Sequence, residues 1–479
     1  EYSGDKGIKL LDVYNGEKSL EEFIAQLSDY DLSCIIRGEG MCSPRVTAGT
    51  ASAFGGVSDS LTALGIPAVC CSDGPSGMRF DSGAKAFSIP IGTLLAATFN
   101  KQLLTELFTF MGLEMRANHV DCLLGPGMNI HRYALNGRNF EYFSEDPFLT
   151  GKMAAAELVG LTSVGVTGTV KHFCGNNQEF RRHNTDSVIS KRALREIYLK
   201  GFEMAVKEGG ATTIMTTYGS VNGLWTASSY DLTTTILRNE WGFEGVAMTD
   251  WWANINRRGC EPDKSDFAAM ATAQNDVYMV CADGGNHDDN VMKCLEDKSL
   301  SRAQLVRCAY NILDFVLSTH AMKRVAGDNV EVEIINRENE AGEENLRDVP
   351  LYKLTGDMEI PLDNLVAVKG RSFAFNLDIS KFGIYNIIVT ASSNSSELAQ
   401  IPVTVFRQGS AMGTLTFNGT NGEDVSKSVK VLMLSRYMPI RVYFSQSGLD
   451  VKSIRVEFYE DTKAKNYSDY SFLGEGRGV

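Results

Sequence analysis

Asp250 closes an apolar run, Gly245-Val246-Ala247-Met248-Thr249, and Trp251 follows it directly. A carboxylate at a strand end can attack an electrophilic carbon, and a flat apolar ring beside it desolvates the reacting centre. Read without context, such an aspartate is more often a helix cap, and such a tryptophan a core aromatic. Lys171 and His172 stand together in a second apolar run, Gly168–Phe173, where a polar pair is unusual as pure core. Asp73 follows a third run on a turn flanked by Gly74 and Pro75, which fixes its backbone whether it binds a ligand or only closes an Asx turn. Arg138 and Arg182 add cationic donors, Arg181 being a rival to Arg182, and Tyr218 ends the run Ile214–Tyr218. Cationic donors bond hydroxyl groups strongly in a dry pocket, and they keep neighbouring carboxylates ionised. Acceptors, donors and an aromatic face together suit a neutral polyhydroxylated substrate. Two other chemistries compete: a Schiff base on Lys171, and a non-catalytic carbohydrate-binding or scaffold protein.

For residues scattered over nearly 180 positions to converge, strand ends must bring them to one face. Eight apolar runs are candidates: Ser33–Arg37, Ala68–Cys71, Leu94–Phe99, Asp121–Leu124, Gly168–Phe173, Ala211–Tyr218, Gly245–Asp250 and Asp276–Cys281. Helical patterns separate them at Lys101–His119, Pro147–Ser163, Ser190–Glu208 and Ser228–Asn239, and a closing helix is expected from Ser301 to about His320. Eight runs with intervening helices predict an α/β fold, a (β/α)8 TIM-like barrel, whose reaction face is built at the strands' C-terminal ends.

The chain's 479 residues exceed one ordinary barrel, so a barrel over 1–326 leaves room for a second unit. Residues 327–348 carry eight acidic and two basic residues and read as an acidic linker, with one short strand at Val330–Ile335. The region 349–479 contains no Cys, His or Trp. Its alternating runs Phe373–Leu377, Tyr385–Thr390, Ile401–Phe406, Thr414–Phe417, Ile440–Phe444 and Ser453–Phe458 predict a small all-β sandwich. Without tryptophan it is expected to have a structural or interface role before a sugar-binding one.

A formal net charge of −13 disfavours nucleic acid and anionic membrane as partners. No apolar run reaches the ~18–20 residues of a membrane span. The ten cysteines lie between Cys34 and Cys308 without a disulfide or zinc spacing, so buried free thiols, no metal and no cofactor are expected. No signal peptide is visible, and a cytoplasmic location is the expectation, although the chain begins at Glu1 and a segment could precede it.

Seven ordered segments carry a resemblance: SDGPSGMR (Ser72–Arg79), LGPGMNIHR (Leu124–Arg132), GRNFEYFSEDP (Gly137–Pro147), KHFCGNNQEFRRHN (Lys171–Asn184), SKRALREIYL (Ser190–Leu199), IMTTYGSVNG (Ile214–Gly223) and GFEGVAMTDWW (Gly242–Trp252). From about residue 20 to about residue 320 the chain resembles glycoside hydrolase family 3. The resemblance implies a retaining exo-β-glycosidase, most simply a β-glucosidase. Asp250 is then the covalent nucleophile. Asp73, Arg138, Lys171, His172, Arg182, Tyr218 and Trp251 bind the sugar, with Asp73 at the end remote from the scissile bond. The same spacing favours Arg182 over Arg181 and makes His183 a bystander.

One part of the family pattern is missing. Retaining glycosidases need a second carboxyl as acid and then base, and the family's usual glutamate comes from a separate α/β domain. No second alternation of strands and helices follows Ala326. The expectation is therefore that an α/β domain or second chain supplies this group, upstream of Glu1 if on the same polypeptide; homo-oligomerisation is possible as well. A family subgroup uses an Asp-His pair on a barrel loop, but here the order in Arg182–Ser187 is reversed. If a carboxyl inside this sequence serves instead, Asp186, Glu179 and Asp283 are the first candidates.

Overall fold

The computed structural model describes residues 1–41, 43–332 and 349–462. Among these, eight strands make the first sheet: β1 (Arg37–Glu39), β2 (Ser52–Gly55), β3 (Ala68–Asp73), β4 (Cys122–Leu124), β5 (Thr167–Phe173), β6 (Thr213–Thr216), β7 (Val246–Met248) and β8 (Tyr278–Cys281). They are ordered β7-β6-β5-β4-β3-β2-β1-β8, and a parallel bridge from Met248 to Val277 joins the two ends. The sheet is thus a TIM-like barrel. Every residue of β5 is buried, as a strand covered on both faces requires.

Its strands are not all parallel. β2 runs antiparallel to both β1 and β3. Two expected strands are corrected. Ser33–Arg37 is mostly the end of a helix, Asp29–Ile35, with β1 starting only at Arg37. Leu94–Phe99 falls on the helix Gly92–Ala97. Its Leu-Leu-Ala-Ala core favours helix by propensity and has no β-branched residue, so the apolar run alone misled. The strand it displaced, Ser52-Ala53-Phe54-Gly55, is short and rich in small residues, which hides it from a hydrophobic pattern.

The helices follow their start signals. Asp146 caps Pro147–Thr162 through the amides of Phe148 and Leu149, with proline in the first turn where no N–H is needed. Ser301 and Gln304 form a reciprocal capping box on Arg302–Ser318. The helix expected at Ser190–Glu208 contains a π-helical turn at Leu194–Tyr198, and the next one, Asp231–Glu240, is π-helical throughout. The last barrel helix, His320–Ala326, stops at Gly327, whose φ of 77° is the left-handed conformation that ends helices.

The described residues form two compact units. The first holds Glu1–Glu39, Ala51–Arg79 and the chain from Ala86 to the linker; the second joins Gly40–Thr50 and Phe80–Lys85 to the C-terminal sandwich. The linker lies outside the described residues from 333 to 348, as does half of the strand expected at Val330–Ile335; residues 330–332 are irregular.

The sandwich adds β9 (Leu351–Leu354), β10 (Met358–Glu359), β11 (Ser372–Ile379), β12 (Gly383–Ser392), β13 (Ile401–Arg407), β14 (Ser410–Phe417), β15 (Val425–Met433), β16 (Tyr437–Phe444) and β17 (Asp450–Asp461). One sheet is β9-β11-β16-β13-β14 and the other β10-β17-β12-β15. Burial alternates along β12, β13 and β16. The inward residues, Phe375, Ile387, Val389, Val403, Phe417, Val442 and Phe444 among them, form one apolar core. β15 was not foreseen. Its Ser426, Lys427, Ser428 and Lys430 interrupt the apolar pattern, yet Val431 and Met433 reach the core.

Candidate active site

Four strand ends and two loops assemble the expected residues. β3 delivers Asp73 into a turn where the Arg79 amide bonds the Asp73 carbonyl at 2.9 Å and Gly77 bonds Gly74 at 3.1 Å. Gly74 sits at φ 126°, and any Cβ there would collide with the Gly77 carbonyl oxygen, so the turn demands glycine. β5 delivers Lys171 and His172. Asn129 clamps the backbone of His172 from both sides, accepting its N–H and donating to its carbonyl, each at 2.9 Å. β7 leads into Asp250, whose surroundings are tied to β8: Thr249 N–H bonds Val277 at 3.0 Å and Trp252 N–H bonds Met279 at 2.7 Å.

Lys171 Nζ donates to Asp73 Oδ1 at 3.1 Å. The lysine side chain is only 4% exposed, while that of Asp73 is 41% exposed, so the carboxylate faces open space. Burial opposes ionisation of Asp73, but Lys171, then Arg138 and Arg79, outweigh it and hold the carboxyl below its ordinary value. An amine engaged in this ion pair is not the free amine that a Schiff base requires. The Lys171 reading therefore loses its support.

Asp250 is different. Its side chain is 7% exposed. Oδ1 accepts from the Trp251 amide at 2.8 Å, while Oδ2 has no well-formed hydrogen bond among the described residues and lies 3.6 Å from His172 Nε2. Burial raises its carboxyl above the ordinary value, against the pull of Arg182, Arg138, the Trp251 amide and Lys171. Buried His172 is driven well below its ordinary value, by desolvation first and then by Arg138, Lys171 and Arg182, so it is neutral. Tyr218 is raised, by burial and then by Asp250, and stays a phenol.

The arginines are held by acids of their own. Arg138 Nε bonds Glu141, and Arg182 donates to Glu179 Oε2 at 2.9 Å. The Arg182 guanidinium also lies 4.3 Å from the centre of the Tyr218 ring. The His183 ring packs on Tyr218 at 4.2 Å. Trp251 is buried next to Asp250.

Several contributors escaped the sequence reading. Arg79 acts on Asp73, Glu141 holds Arg138, Asn129 and Tyr142 contact His172, and Asn176 bonds Tyr142. All but Asn176 lie in motif segments other than that of the histidine, and all lie within segments already singled out. What was missing was the pairing, which only the fold supplies.

The three in-chain candidates for a second carboxyl are engaged elsewhere. Asp186 Oδ1 accepts from Ser220 Oγ at 2.7 Å and from the Gly223 amide at 2.9 Å. Glu179 accepts from Asn176 at 2.8 Å as well as from Arg182. Asp283 accepts from the Gly285 amide at 2.9 Å. Among the described residues no group of three or more His, Cys, Asp or Glu side chains could hold a metal ion. Of the described cysteines, Cys260 is exposed and the others are buried free thiols.

The end of β7 thus places a carboxylate buried beside an indole and under the pull of three cations, Arg182, Arg138 and Lys171. Residues 5–314 match the model of the glycosyl hydrolase family 3 N-terminal domain. The chain belongs to this family. Over 454 residues it is 62% identical to a β-glucosidase of Ruminococcus albus, covering 95% of this chain and 48% of that protein. A β-glucosidase of Paenibacillus barengoltzii is 43% identical in its crystal structure, with a TM-score of 0.66 over 95% of this chain and 49% of that one. β-Glucosidase 3B of Thermotoga neapolitana in complex with glucose is 35% identical, with a TM-score of 0.59 over 65% of this chain and 44% of that one. The chain thus spans about half the length of the relatives it matches along nearly its whole extent.

Proposed function

We propose that this family 3 chain is the barrel of a retaining exo-β-glycosidase, a β-glucosidase, and that Asp250 forms the covalent glycosyl-enzyme. The observation that carries the reading is the contrast between the two free-facing carboxylates. Asp73 is open, ionised and paired with a lysine, as a group that receives sugar hydroxyls should be. Asp250 is buried, with one oxygen unbonded, as a nucleophile should be. Arg138, Lys171 and Arg182 offer donors to the sugar and pull the Asp250 carboxyl down against its burial, while neutral His172 stands beside it. Trp251 presents a ring for the sugar face, and Tyr218 flanks the nucleophile. The names of the relatives support glucose as the released sugar.

The second carboxyl, in this reading, is supplied from outside residues 1–479. The support is that Asp186, Glu179 and Asp283 all serve other groups. An α/β domain or a second chain would carry it. A fluorinated mechanism-based glucoside tests the core of the proposal: mass spectrometry should find one label on the peptide containing Asp250. Label on another carboxylate, or none with an activated leaving group, overturns it.

A further inference from the structure

The proton on neutral His172 can sit on either ring nitrogen, and the hydrogen bonds around it decide which. A chain of contacts leads to the ring. Glu179 is an acceptor only, and it receives Arg182 on Oε2 and Asn176 Nδ2 on Oε1. That fixes the Asn176 amide with its nitrogen towards the acid. The same Nδ2 donates its second proton to the Tyr142 hydroxyl oxygen at 3.1 Å. The Tyr142 hydroxyl lies 3.2 Å from His172 Nδ1 and keeps one proton to give. Every member is buried except Glu179 and Arg182.

We infer that Tyr142 and Asn176 are positioning residues that hold His172 in the tautomer protonated on Nε2, so that it donates to the nucleophile Asp250. The opposite tautomer would set an imidazole lone pair against Asp250 Oδ2 at 3.6 Å, acceptor facing acceptor. It would also leave the Tyr142 proton without its place at Nδ1. Asn129 Oδ1 is farther from Nδ1, at 3.4 Å, and already receives the His172 backbone N–H. With Nε2 protonated, each donor in the sequence Arg182, Asn176, Tyr142, His172 has its acceptor, and donation runs one way from Asn176 to Asp250. A neutral donor facing Oδ2 supports the carboxylate without adding a further cation to a site that already holds several.

The kinetic part of this inference rests on Asp250 being the nucleophile; the spectroscopic part does not. The chain has six histidines. Labelled with ¹⁵N in both ring nitrogens, the set can be read by long-range proton–nitrogen correlation, with His172 assigned by its loss in His172→Gln. The expected result is a pyrrole-type Nε2 and a pyridine-type Nδ1 at His172. In Tyr142→Phe, which removes one oxygen, and in Asn176→Ala, which removes the donor that orients it, the two shifts should converge or exchange. Turnover of an activated aryl glucoside should fall about tenfold in kcat in Tyr142→Phe with KM little changed, the scale of one neutral hydrogen bond. A wild-type His172 protonated on Nδ1 overturns the inference, and so does a tautomer unchanged in both variants. If the chain proves inactive, the glycosidase reading fails while the tautomer is still decided by the spectra. If Tyr142→Phe does not fold, Asn176→Ala and the wild-type spectrum decide.

Discussion

The barrel and the sandwich solve burial in opposite ways. The sandwich buries Phe375, Phe417, Phe444 and their aliphatic neighbours, and none of its described charged residues is fully buried. The barrel buries Lys171, His172 and Asp250 at its strand ends and Glu141 in the loop that carries Arg138. A buried charge is expensive unless paired; Lys171 and Glu141 are paired with Asp73 and Arg138, Tyr142 stands against His172, and one oxygen of Asp250 is left without a well-formed hydrogen bond. A fold keeps such a cost where chemistry uses it. The sandwich carries no comparable expense, which fits a module that packs or docks.

Four experiments can break or sharpen this contrast. The largest effect is expected from Asp250→Asn, which keeps the shape and removes the attacking charge. Its kcat should fall by several orders of magnitude, with azide restoring turnover as an α-glycosyl azide. Near wild-type turnover would erase the distinction between the two regions. Next, Asp73→Ala should lower kcat/KM by at least about 10²-fold, because groups built to bond hydroxyls lose their partner. A 4-deoxy or 6-deoxy glycoside should lose less on this variant than on the native chain. Equal losses on both would move Asp73 away from those hydroxyls.

In the sandwich, Phe375→Ala should cost about 3–5 kcal/mol in a denaturant melt of that module by opening a core cavity. Turnover of an aryl glucoside per folded barrel should stay the same. A parallel loss of turnover would give the sandwich a part in the reaction. The smallest effect concerns pH. The folded carboxyl of Asp250 lies above the 3.8 of an unperturbed aspartate, because burial exceeds the pull of the surrounding cations. Activity should therefore fade, as pH drops, above the range of an ordinary aspartate, and Arg182→Gln should move that limb higher. The linkage sign gives a companion result. A group with a raised folded value costs stability once pH exceeds its unfolded value, so Asp250→Asn should melt above the native chain at neutral pH and lose that advantage in acid. An acid limb at the ordinary position would show that burial does not govern this group.

The main site residues were legible because Asp250, Lys171, His172 and Asp73 stand at strand ends amid recognisable segments. What sequence could not show was relation across the fold. Tyr142 looks like a core aromatic until its hydroxyl is placed against a histidine thirty positions away. Ser52–Gly55 carries too little apolar surface to announce a strand, and Leu94–Phe99 carries too much for a surface helix, with Leu94 and Phe99 both exposed. In the strand, tertiary pairing overrode the local pattern, and in the helix intrinsic propensity did.

The reversed strand β2 also bears on how the barrel comes into being. It turns β1, β2 and β3 into a meander of near neighbours, with Glu39 opposite Ala53 and Ser52 opposite Cys71. Closure instead pairs Arg37 with Tyr278, from opposite ends of the barrel's sequence. Short loops close at lower entropic cost than long ones, and local pairings form sooner. The amides of β2 should thus gain protection from exchange early in refolding, and those of Tyr278 last, so that the barrel assembles as an open curl and the seam between β1 and β8 is sewn at the end.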